Sequence, residues 1–219
     1  MPGYSVETST YHIGSEDYQI RALSNRRQYW DPDGEAERAG ISSATWPIFG
    51  VVWPAGIALA QQMSQFAFAG LKILEVGCGI GLSSLVLQRL GADITATDYH
   101  PLAEEFLRLN SALNGLAPIK FHNAPWAGAN AELGRFDLIV GSDLLYERGH
   151  PALLAAFLAD HSEAAAQVIV ADPGRNRCGQ FSAKMAIEGY TRSEQRLNFT
   201  SGATGSPRSR MMSFRRNQR

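Results

Sequence analysis

The sequence predicts an α/β fold of three layers, in which helices cover both faces of a mainly parallel seven-strand sheet. From Lys72 onwards, short apolar runs of strand length alternate with segments of helical periodicity, as in sheets that are buried on both faces. At 219 residues, 45% of them hydrophobic and 19% charged, the chain is long enough for one core and too apolar for a disordered class. The final two strands have no helix between them, so we expect the last strand to run antiparallel.

The first forty residues are polar and irregular, and we expect an N-terminal extension at 1–40 before a main domain at 41–219. Within the extension, residues 11–13 and 18–21 flank a polar turn and predict a small hairpin. The sequence Asp-Pro-Asp-Gly at residues 31–34 predicts a further turn.

Helices are predicted where apolar residues recur at spacings of three and four. The first would begin at Pro54, because proline suits a first helical turn. The next two are closed by Gly91 and Gly115, which can adopt the left-handed conformation that ends many helices. The predicted helices are 54–66, 82–90, 101–113, 151–162 and 180–188. Short strand segments are predicted at 73–76, 94–97, 119–122, 136–140 and 168–171. Two final strands are predicted at 191–198 and at 209–216, where Met212 and Phe214 alternate with polar residues.

No charged residue occupies the 33 positions from 39 to 71, so this stretch has to be tested as a membrane span. It fails because Pro47, Gly50, Pro54 and Gly56 interrupt every apolar run before it reaches the ~18 residues that a span needs. The N-terminus has no basic stretch followed by an apolar run. We therefore expect a cytoplasmic protein without a membrane anchor.

The composition also bears on cofactors and partners. The net charge is −1, so the chain as a whole does not attract nucleic acid, and we expect none as a partner. The two cysteines, Cys78 and Cys178, and the five scattered histidines show no metal-ligand spacing, so no metal is expected. Nothing in the sequence calls for a second copy of the chain, and we expect a monomer.

A glycine-rich segment follows the first strand of the predicted parallel sheet. It reads Glu75-x-Gly77-x-Gly79-x-Gly81 and leads into a helix, and the next strand ends at Asp98. Glycines let the backbone turn tightly and approach a ligand closely, while an acid at the second strand end can bind both hydroxyls of a ribose. The cofactor is therefore predicted to contain a nucleoside. A dinucleotide would require the third glycine one position later, so it is disfavoured.

This acid-x-Gly-x-Gly-x-Gly pattern resembles motif I of the seven-strand, Rossmann-like methyltransferases that use S-adenosylmethionine (SAM), and Asp98 matches their ribose acid. The resemblance implies SAM as the cofactor. In these enzymes the end of the third strand reaches the adenine, which here points to Asn123 for hydrogen bonding and to Trp126 for stacking. A loop asparagine and a packed tryptophan are the alternative interpretation.

The end of the fourth strand makes the resemblance narrower. Asp143 and Tyr146 are similar to the (D/E)xx(Y/F) motif of methyltransferase family 16, which contains many protein-lysine methyltransferases. Residues 52–56 resemble the tryptophan segment that this family carries before motif I. Residues 172–175 are similar to a segment of the lysine methyltransferases that act on the β subunit of electron-transfer flavoprotein. Arg175 in that segment could contact a substrate acid or a nearby loop.

The resemblance implies a role for each of these residues. Asp143 would hold and orient the amine of the acceptor, and Tyr146 would line its aliphatic stem or hydrogen-bond the amine. Glu75 would hold the methionine ammonium of SAM directly or through water, Trp53 would cover its methionine arm, and Ser142 would lie against the cofactor. For Asp143 the alternative is a strand-end acid that caps the next segment, and for Trp53 and Tyr146 it is simple packing.

We therefore expect a SAM-dependent N-methyltransferase that acts on a lysine side chain of a protein. A methyltransferase for a small-molecule amine or heterocycle and a SAM-binding module without catalysis are the alternatives. A nucleobase acceptor is disfavoured because Leu144 and Leu145 stand where base-modifying enzymes have two prolines. The charge-free stretch would then form an apolar cover over the cofactor, with Trp53 facing inward and residues 49–60 mostly buried.

Overall fold

Two β-sheets, and helices packed on the larger one, make up the part of the chain that the structure describes. This computed structural model describes residues 3–128, 130–197 and 208–216. Its strands are β1 (Val6–Ile13), β2 (Glu16–Leu23), β3 (Lys72–Val76), β4 (Asp93–Asp98), β5 (Lys120–Asn123), β6 (Phe136–Ser142), β7 (Ser162–Asp172), β8 (Tyr190–Arg196) and β9 (Arg210–Arg216). Its helices are α1 (Glu35–Arg38), α2 (Pro54–Met63), α3 (Leu82–Arg89), α4 (Ala103–Leu113), α5 (His150–His161) and α6 (Cys178–Ile187), with short 3-10 helices at Trp46–Gly50 and Ala131–Leu133.

The central sheet has the strand order β5-β4-β3-β6-β7-β9-β8. The first five of these strands are parallel, and β9 runs antiparallel to both of its neighbours, β7 and β8. The predicted seven-strand sheet with an antiparallel last strand is therefore confirmed. The turn expected before β9, at residues 201–205, lies outside the described residues.

The chain changes the side on which it extends the sheet at β3. It proceeds from β3 to β4 and β5 on one side and then returns to β6 on the other side of β3. In open parallel sheets, such a switch leaves a crevice at the carboxyl ends of the strands, where ligands bind. We call this expectation the strand-end rule. The glycine-rich segment follows β3 and Asp143 follows β6, so both lie at this crevice.

Neighbouring side chains of β3 enter the two different halves of the core. Ile73 packs in a cluster with residues of α2, α3 and α4, whereas Leu74 packs in a cluster with residues of α5 and α6. Both side chains are fully buried. A strand covered on both faces needs apolar side chains on both, which Ile73 and Leu74 supply. The three-layer arrangement is confirmed.

The N-terminal hairpin is confirmed, but its strands are longer than predicted and its turn is shorter. β1 and β2 pair up to Ile13 and Glu16, which leaves a two-residue turn. Gly14, the first residue of that turn, has a φ of 63°, as a tight hairpin turn requires. The division of the chain at residue 40 stays a prediction.

The hairpin packs on the main core through β2. Tyr18 and Ile20 are buried in the same apolar cluster as Ile73 of β3. Asn110 of α4 accepts the backbone N–H of Arg21 at Oδ1 (2.8 Å) and donates from Nδ2 to the carbonyl of Arg21 (3.2 Å). One asparagine side chain thus satisfies both backbone groups of a residue that has no strand partner on that side.

Helix α1 is not predicted by the sequence, which indicates only a turn at residues 31–34. The carboxylate of Asp31 accepts the backbone N–H groups of Ala36 (3.0 Å) and Glu37 (2.9 Å). These bonds satisfy donors that have no partner at the start of a helix, and they stabilise this single turn. With four residues, α1 is too short to show an apolar periodicity.

Strand β7 begins earlier than predicted. The apolar run predicts a start at residue 168, whereas pairing with β6 begins at Ser162, opposite Phe136. Residues 163–165 are exposed and leave no apolar pattern in the sequence. The backbone pairing of this extension therefore could not be inferred from hydrophobicity.

The charge-free stretch folds against the sheet. Within the described residues, no helix is long and apolar enough to cross a membrane. None of residues 49–60 is exposed, and five of the twelve are buried. The segment is therefore not exposed, as the prediction requires, although seven of its residues are only half-buried, and its position over the crevice explains why it carries no charge.

Candidate active site

A cavity of about 320 Å³ opens at the carboxyl ends of β3, β4 and β6. Eleven residues are predicted for the site from the sequence, and nine of them line this cavity: Trp53, Glu75, Gly77, Gly79, Asp98, Trp126, Ser142, Asp143 and Tyr146. Gly81 and Asn123 do not line it. The ends of the strands bring together Glu75 and Tyr146, which are 71 positions apart in the sequence, and Trp53 joins them from the segment before α2.

The glycine-rich segment needs its glycines for two different reasons. Residues 48–56 form a cover segment over the cavity. A Cβ on Gly79 would lie 2.5 Å from the carbonyl oxygen of Phe49, so only glycine allows this cover segment to approach the glycine-rich loop. Gly81 has a φ of 79°, and a Cβ there would lie 2.2 Å from Cδ1 of Leu107 on α4. Gly81 thus permits the packing of α3 against α4, and its expected contact with the cofactor stays a prediction.

Asp98 links the glycine-rich segment to the end of β4. Its Oδ2 accepts the backbone N–H of Gly79 (2.8 Å), and its Oδ1 accepts the backbone N–H of His100 (2.9 Å). Burial raises the pKa of Asp98, while these backbone N–H bonds lower it. Each carboxylate oxygen keeps a further lone pair. Asp98 can therefore hold the loop and still accept two hydroxyl groups of a ribose.

Glu75 lies on the neighbouring strand β3 and is almost fully buried. Its Oε2 accepts the backbone N–H (2.9 Å) and the hydroxyl (2.5 Å) of Ser84 on α3. Burial raises the pKa of Glu75 to about 7, and the bonds from Ser84 work against this rise. A carboxylate placed in this way gains from a cationic partner in the cavity, such as an ammonium group.

Replacing Glu75 with glutamine is expected to stabilise the ligand-free protein above pH 7. Between pH 4.5 and 7 the unfolded chain releases the Glu75 proton while the folded protein keeps it, so wild-type stability falls as the pH rises. The free energy of unfolding of Glu75→Gln should exceed that of wild type by on the order of 3 kcal/mol at pH 8. Denaturant titrations at pH 5, 6, 7 and 8 measure this difference, which should widen with pH and level off above 7.

The matched control for this prediction is Glu163→Gln, because Glu163 is an exposed carboxylate on β7. Its effect on the free energy of unfolding should be small, because the side chain lies in solvent. A Glu75→Gln effect that stays constant from pH 5 to 8 would show that Glu75 is ionised in the folded protein.

The two residues expected at the adenine differ in their placement. Trp126 lines the cavity and packs edge to face on His150, with their ring centroids 5.1 Å apart. Asn123 ends the edge strand β5, is exposed, and donates from Nδ2 to the carbonyl of Tyr99 at 3.5 Å. The geometry supports Trp126 as the stacking residue, whereas nothing in it brings Asn123 to the cofactor.

Tyr99 and His100 line the cavity and were missed by the sequence reasoning. They directly follow Asp98, so the strand-end rule could have included them. His100 stacks on Phe49 with ring centroids 3.7 Å apart, and burial lowers its pKa to about 3, so its imidazole is neutral. The backbone N–H of Leu102 donates to its Nδ1 (3.2 Å), which assigns the ring proton to Nε2.

The cover segment lies over the glycine loop and the end of β6. The indole N–H of Trp53 donates to the carbonyl of Ile48 (2.9 Å), and the guanidinium of Arg26 lies 4.8 Å from the centre of the Trp53 ring. A Cβ on Gly56 would lie 3.4 Å from Oγ of Ser142. The first turn of α2 therefore reaches the end of β6, and Trp53 faces the cavity as expected.

Asp143 begins the loop after β6 in an unusual conformation. Its φ is 57°, the single positive φ of a non-glycine residue in the described part of the chain. Its backbone N–H donates to the carbonyl of Ala171 (2.9 Å), which anchors the loop to β7. The side chain is 8% exposed and lines the cavity. Backbone strain of this kind persists where the surrounding structure enforces it, often at functional sites.

The carboxylate of Asp143 is paired with Arg175. The Nε and Nη2 atoms of Arg175 lie 2.7 and 2.5 Å from Oδ1 of Asp143. Burial raises the pKa of Asp143, and the Arg175 cation lowers it. The sequence leaves the contact of Arg175 open between a substrate acid and a nearby loop. The structure places it on Asp143.

Tyr146 lines the cavity from the same loop as Asp143. Burial raises the pKa of its hydroxyl far above the usual range, so Tyr146 stays neutral. Its ring packs edge to face on His150, with centroids 4.5 Å apart, and Nδ1 of His150 lies 2.6 Å from the carbonyl of Leu144. That carbonyl can only accept, so the proton lies on Nδ1 of His150. His150 thus supports both aromatic walls, and the sequence reasoning did not single it out.

No group of three or more His, Cys, Asp or Glu side chains that could hold a metal ion occurs among residues 3–128, 130–197 and 208–216. The acids of the cavity therefore act as separate groups, each bound to its own backbone or side-chain donors. Their arrangement suits a ligand with several distinct polar groups and a positive charge.

Comparisons with known proteins agree with this arrangement. A family model described as lysine methyltransferase matches residues 42–185. The electron transfer flavoprotein beta subunit lysine methyltransferase of Mus musculus is 31% identical over 163 residues, which are 73% of this chain and 61% of that protein. The protein N-lysine methyltransferase METTL21A of Danio rerio is 36% identical over 156 residues, 67% of this chain and 65% of that protein. The chain spans about three fifths of the length of the first of these curated relatives.

A solved structure with the same architecture is the 16S rRNA N2 G1207 methyltransferase of T. Thermophilus in complex with AdoMet and guanosine. It superposes with a TM-score of 0.65 at 16% identity and covers 99% of this chain and 52% of that chain. A likeness at this level of identity shows a shared fold, because unrelated functions often occupy one fold. The Rossmann-like methyltransferase fold expected from the sequence is therefore confirmed.

Proposed function

This chain belongs to the lysine methyltransferase family, and on that premise we propose that it is a SAM-dependent methyltransferase whose acceptor is a lysine side chain of a protein. The observation that carries the proposal is the strained, buried Asp143, which lines the same cavity as Glu75 and Asp98. Glu75 and Asp98 suit the polar groups of the cofactor, and Asp143 suits an amine.

The residues present fit SAM. Glu75 would bind the methionine ammonium, Asp98 the two ribose hydroxyls and Trp126 the adenine face, and all three line one cavity. Burial raises the pKa values of both carboxyls, so a cationic ligand relieves an existing cost. When bound, SAM supplies an activated methyl group on a sulfonium.

The chain's own residues would then prepare the acceptor. A lysine attacks only as the neutral amine, whereas its ordinary pKa is about 10.4. The carboxylate of Asp143 can hold the arriving ammonium and, after the ammonium has lost one proton to bulk water, accept a hydrogen bond from the neutral amine. Tyr146 would line the aliphatic stem, and the cover formed by residues 48–56 would exclude water. Positioning and desolvation are the main contributions of the protein.

Tritiated SAM with an extract of cells that lack this gene tests the proposal. We expect the wild-type protein to label protein bands, and mass spectrometry of those bands to find the methyl groups on lysine. The names of the relatives make the β subunit of electron-transfer flavoprotein the first purified acceptor to try. Asp143→Asn should remove the label. Label confined to the small-molecule fraction would instead favour the small-molecule acceptor.

Calorimetric titration of SAM separates the remaining alternative. A SAM-binding module without catalysis would show binding heat and no labelled product from any fraction. The absence of binding heat at tens of micromolar SAM would refute the proposal as a whole. A cytoplasmic location and a monomeric state stay predictions from the sequence.

A further inference from the structure

The ion pair between Asp143 and Arg175 engages only one of the two carboxylate oxygens. Both guanidinium contacts of Arg175, from Nε and Nη2, are made to Oδ1. No hydrogen bond to Oδ2 of Asp143 occurs among residues 3–128, 130–197 and 208–216. The pair therefore fixes the carboxylate and leaves one oxygen for a further donor.

The turn that carries Arg175 is held rigidly at the end of β7. Oδ1 of Asp172 accepts the backbone N–H groups of Gly174 (2.7 Å) and Arg175 (2.7 Å). Gly174 has a φ of 93°, and a Cβ there would lie 2.3 Å from Cβ of Arg208, so the turn requires glycine. A rigid turn places the guanidinium beside the end of β6, where Asp143 follows.

The surroundings of Asp143 otherwise oppose a negative charge. The side chain is 8% exposed, and the carboxylate of Asp172 lies close enough to raise its pKa further. Nine other titratable groups share its loop or its cavity: Glu75, Cys78, Asp98, Tyr99, His100, Tyr146, Glu147, Arg148 and His150. Arg148 is a permanent cation, but it is exposed and forms no ion pair with Asp143, and His150 carries a positive charge only when protonated. Arg175 is therefore the permanent positive charge that touches Asp143 within the described residues.

We propose that Arg175 is a positioning residue for Asp143: it fixes one carboxylate oxygen, keeps the group ionised, and leaves the other oxygen open to the amine of the acceptor. The part that concerns the amine rests on the proposed function, whereas the part that concerns the charge of Asp143 does not. A protonated Asp143 could not hold an ammonium, so loss of Arg175 would restrict activity to higher pH.

The test is a pH titration of the Asp143 side chain by NMR in the ligand-free protein with 13C-labelled aspartate, its signal assigned through Asp143→Asn. In Arg175→Gln the titration midpoint should rise by roughly one to three pH units, the range expected when an opposite charge at this distance is lost. Arg175→Lys keeps the positive charge but has a single nitrogen to donate from, so the Asp143 midpoint should rise less than in Arg175→Gln. Arg177→Gln removes a charge two residues away that makes no contact with Asp143 and should match wild type.

Equal midpoints in wild type and Arg175→Gln would overturn the proposal, whatever the enzyme does. If Arg175→Gln does not fold, the midpoint of Arg175→Met, which also lacks the charge, decides, and equality with wild type overturns the proposal again. A raised midpoint without any labelled acceptor would preserve the role of Arg175 and count against the proposed function alone. With an acceptor in hand, the acid limb of kcat/KM should move to higher pH in Arg175→Gln.

Discussion

Asp98→Ala is expected to weaken SAM binding by about a hundredfold or more. The substitution removes two acceptors for the ribose hydroxyls, and hydrogen bonds to a charged group contribute about 1.5–3 kcal/mol each. It also frees the backbone N–H groups of Gly79 and His100, which Asp98 now holds. The glycine loop would then lose its tie to β4. Isothermal titration with SAM measures the change.

Asp93→Ala is the matched control for this prediction. Asp93 begins the same strand, and its carboxylate pairs with Lys120 on the surface (3.0 Å). Asp93→Ala removes the same charge as Asp98→Ala, but from the end of β4 that lies away from the cavity. Exposed ion pairs contribute about 0–1 kcal/mol, so SAM affinity should stay within about twofold of wild type. An Asp98→Ala affinity within threefold of wild type would place the ribose elsewhere.

The parts of the site that are close in sequence could be predicted from it. Glu75 lies near the end of β3, Gly77 and Gly79 follow that strand, and Asp98 ends the next, so a parallel sheet necessarily brings them to one edge. The strand-end rule fixes position but not the direction of a side chain. Asn123 shows this limit, because it ends β5 as expected and yet is exposed and does not line the cavity.

The ion pair of the site could not be predicted, because its two members are 32 positions apart. Asp143 and Arg175 meet only because β6 and β7 pair in parallel with Ser142 opposite Ala171. That register depends on packing across the whole sheet. In the same way, the apolar run alone could not reveal that β7 begins at Ser162, where backbone pairing rather than hydrophobicity sets the strand end.

The positive φ of Asp143 determines which variant can test its role. Alanine at a φ of 57° would be strained, whereas asparagine adopts this conformation readily. Asp143→Ala would therefore confuse a displaced loop with a lost carboxylate. Asp143→Asn keeps the size and the backbone and removes only the charge.

Asp143→Asn is expected to lower the turnover for methyl transfer by about 100- to 1,000-fold, the range seen when a positioned polar group is removed from an active site. The amide cannot hold an ammonium, and its dipole orients a neutral amine less well than a charge does. The dissociation constant for SAM should stay within about twofold, because Glu75 and Asp98 remain in place. Single-turnover assays and calorimetry measure the two quantities separately.

Asp160→Asn, an exposed aspartate on α5, is the control and should leave both quantities unchanged. If Asp143→Asn and Asp98→Ala lowered SAM affinity equally, Asp143 would belong to the cofactor site. Unchanged turnover would show that the amine is held by another group. Asp98→Ala at the end of β4 should thus lower SAM affinity, and Asp143→Asn after β6 should lower turnover. The two effects separate because one cavity binds cofactor and acceptor at the ends of different strands.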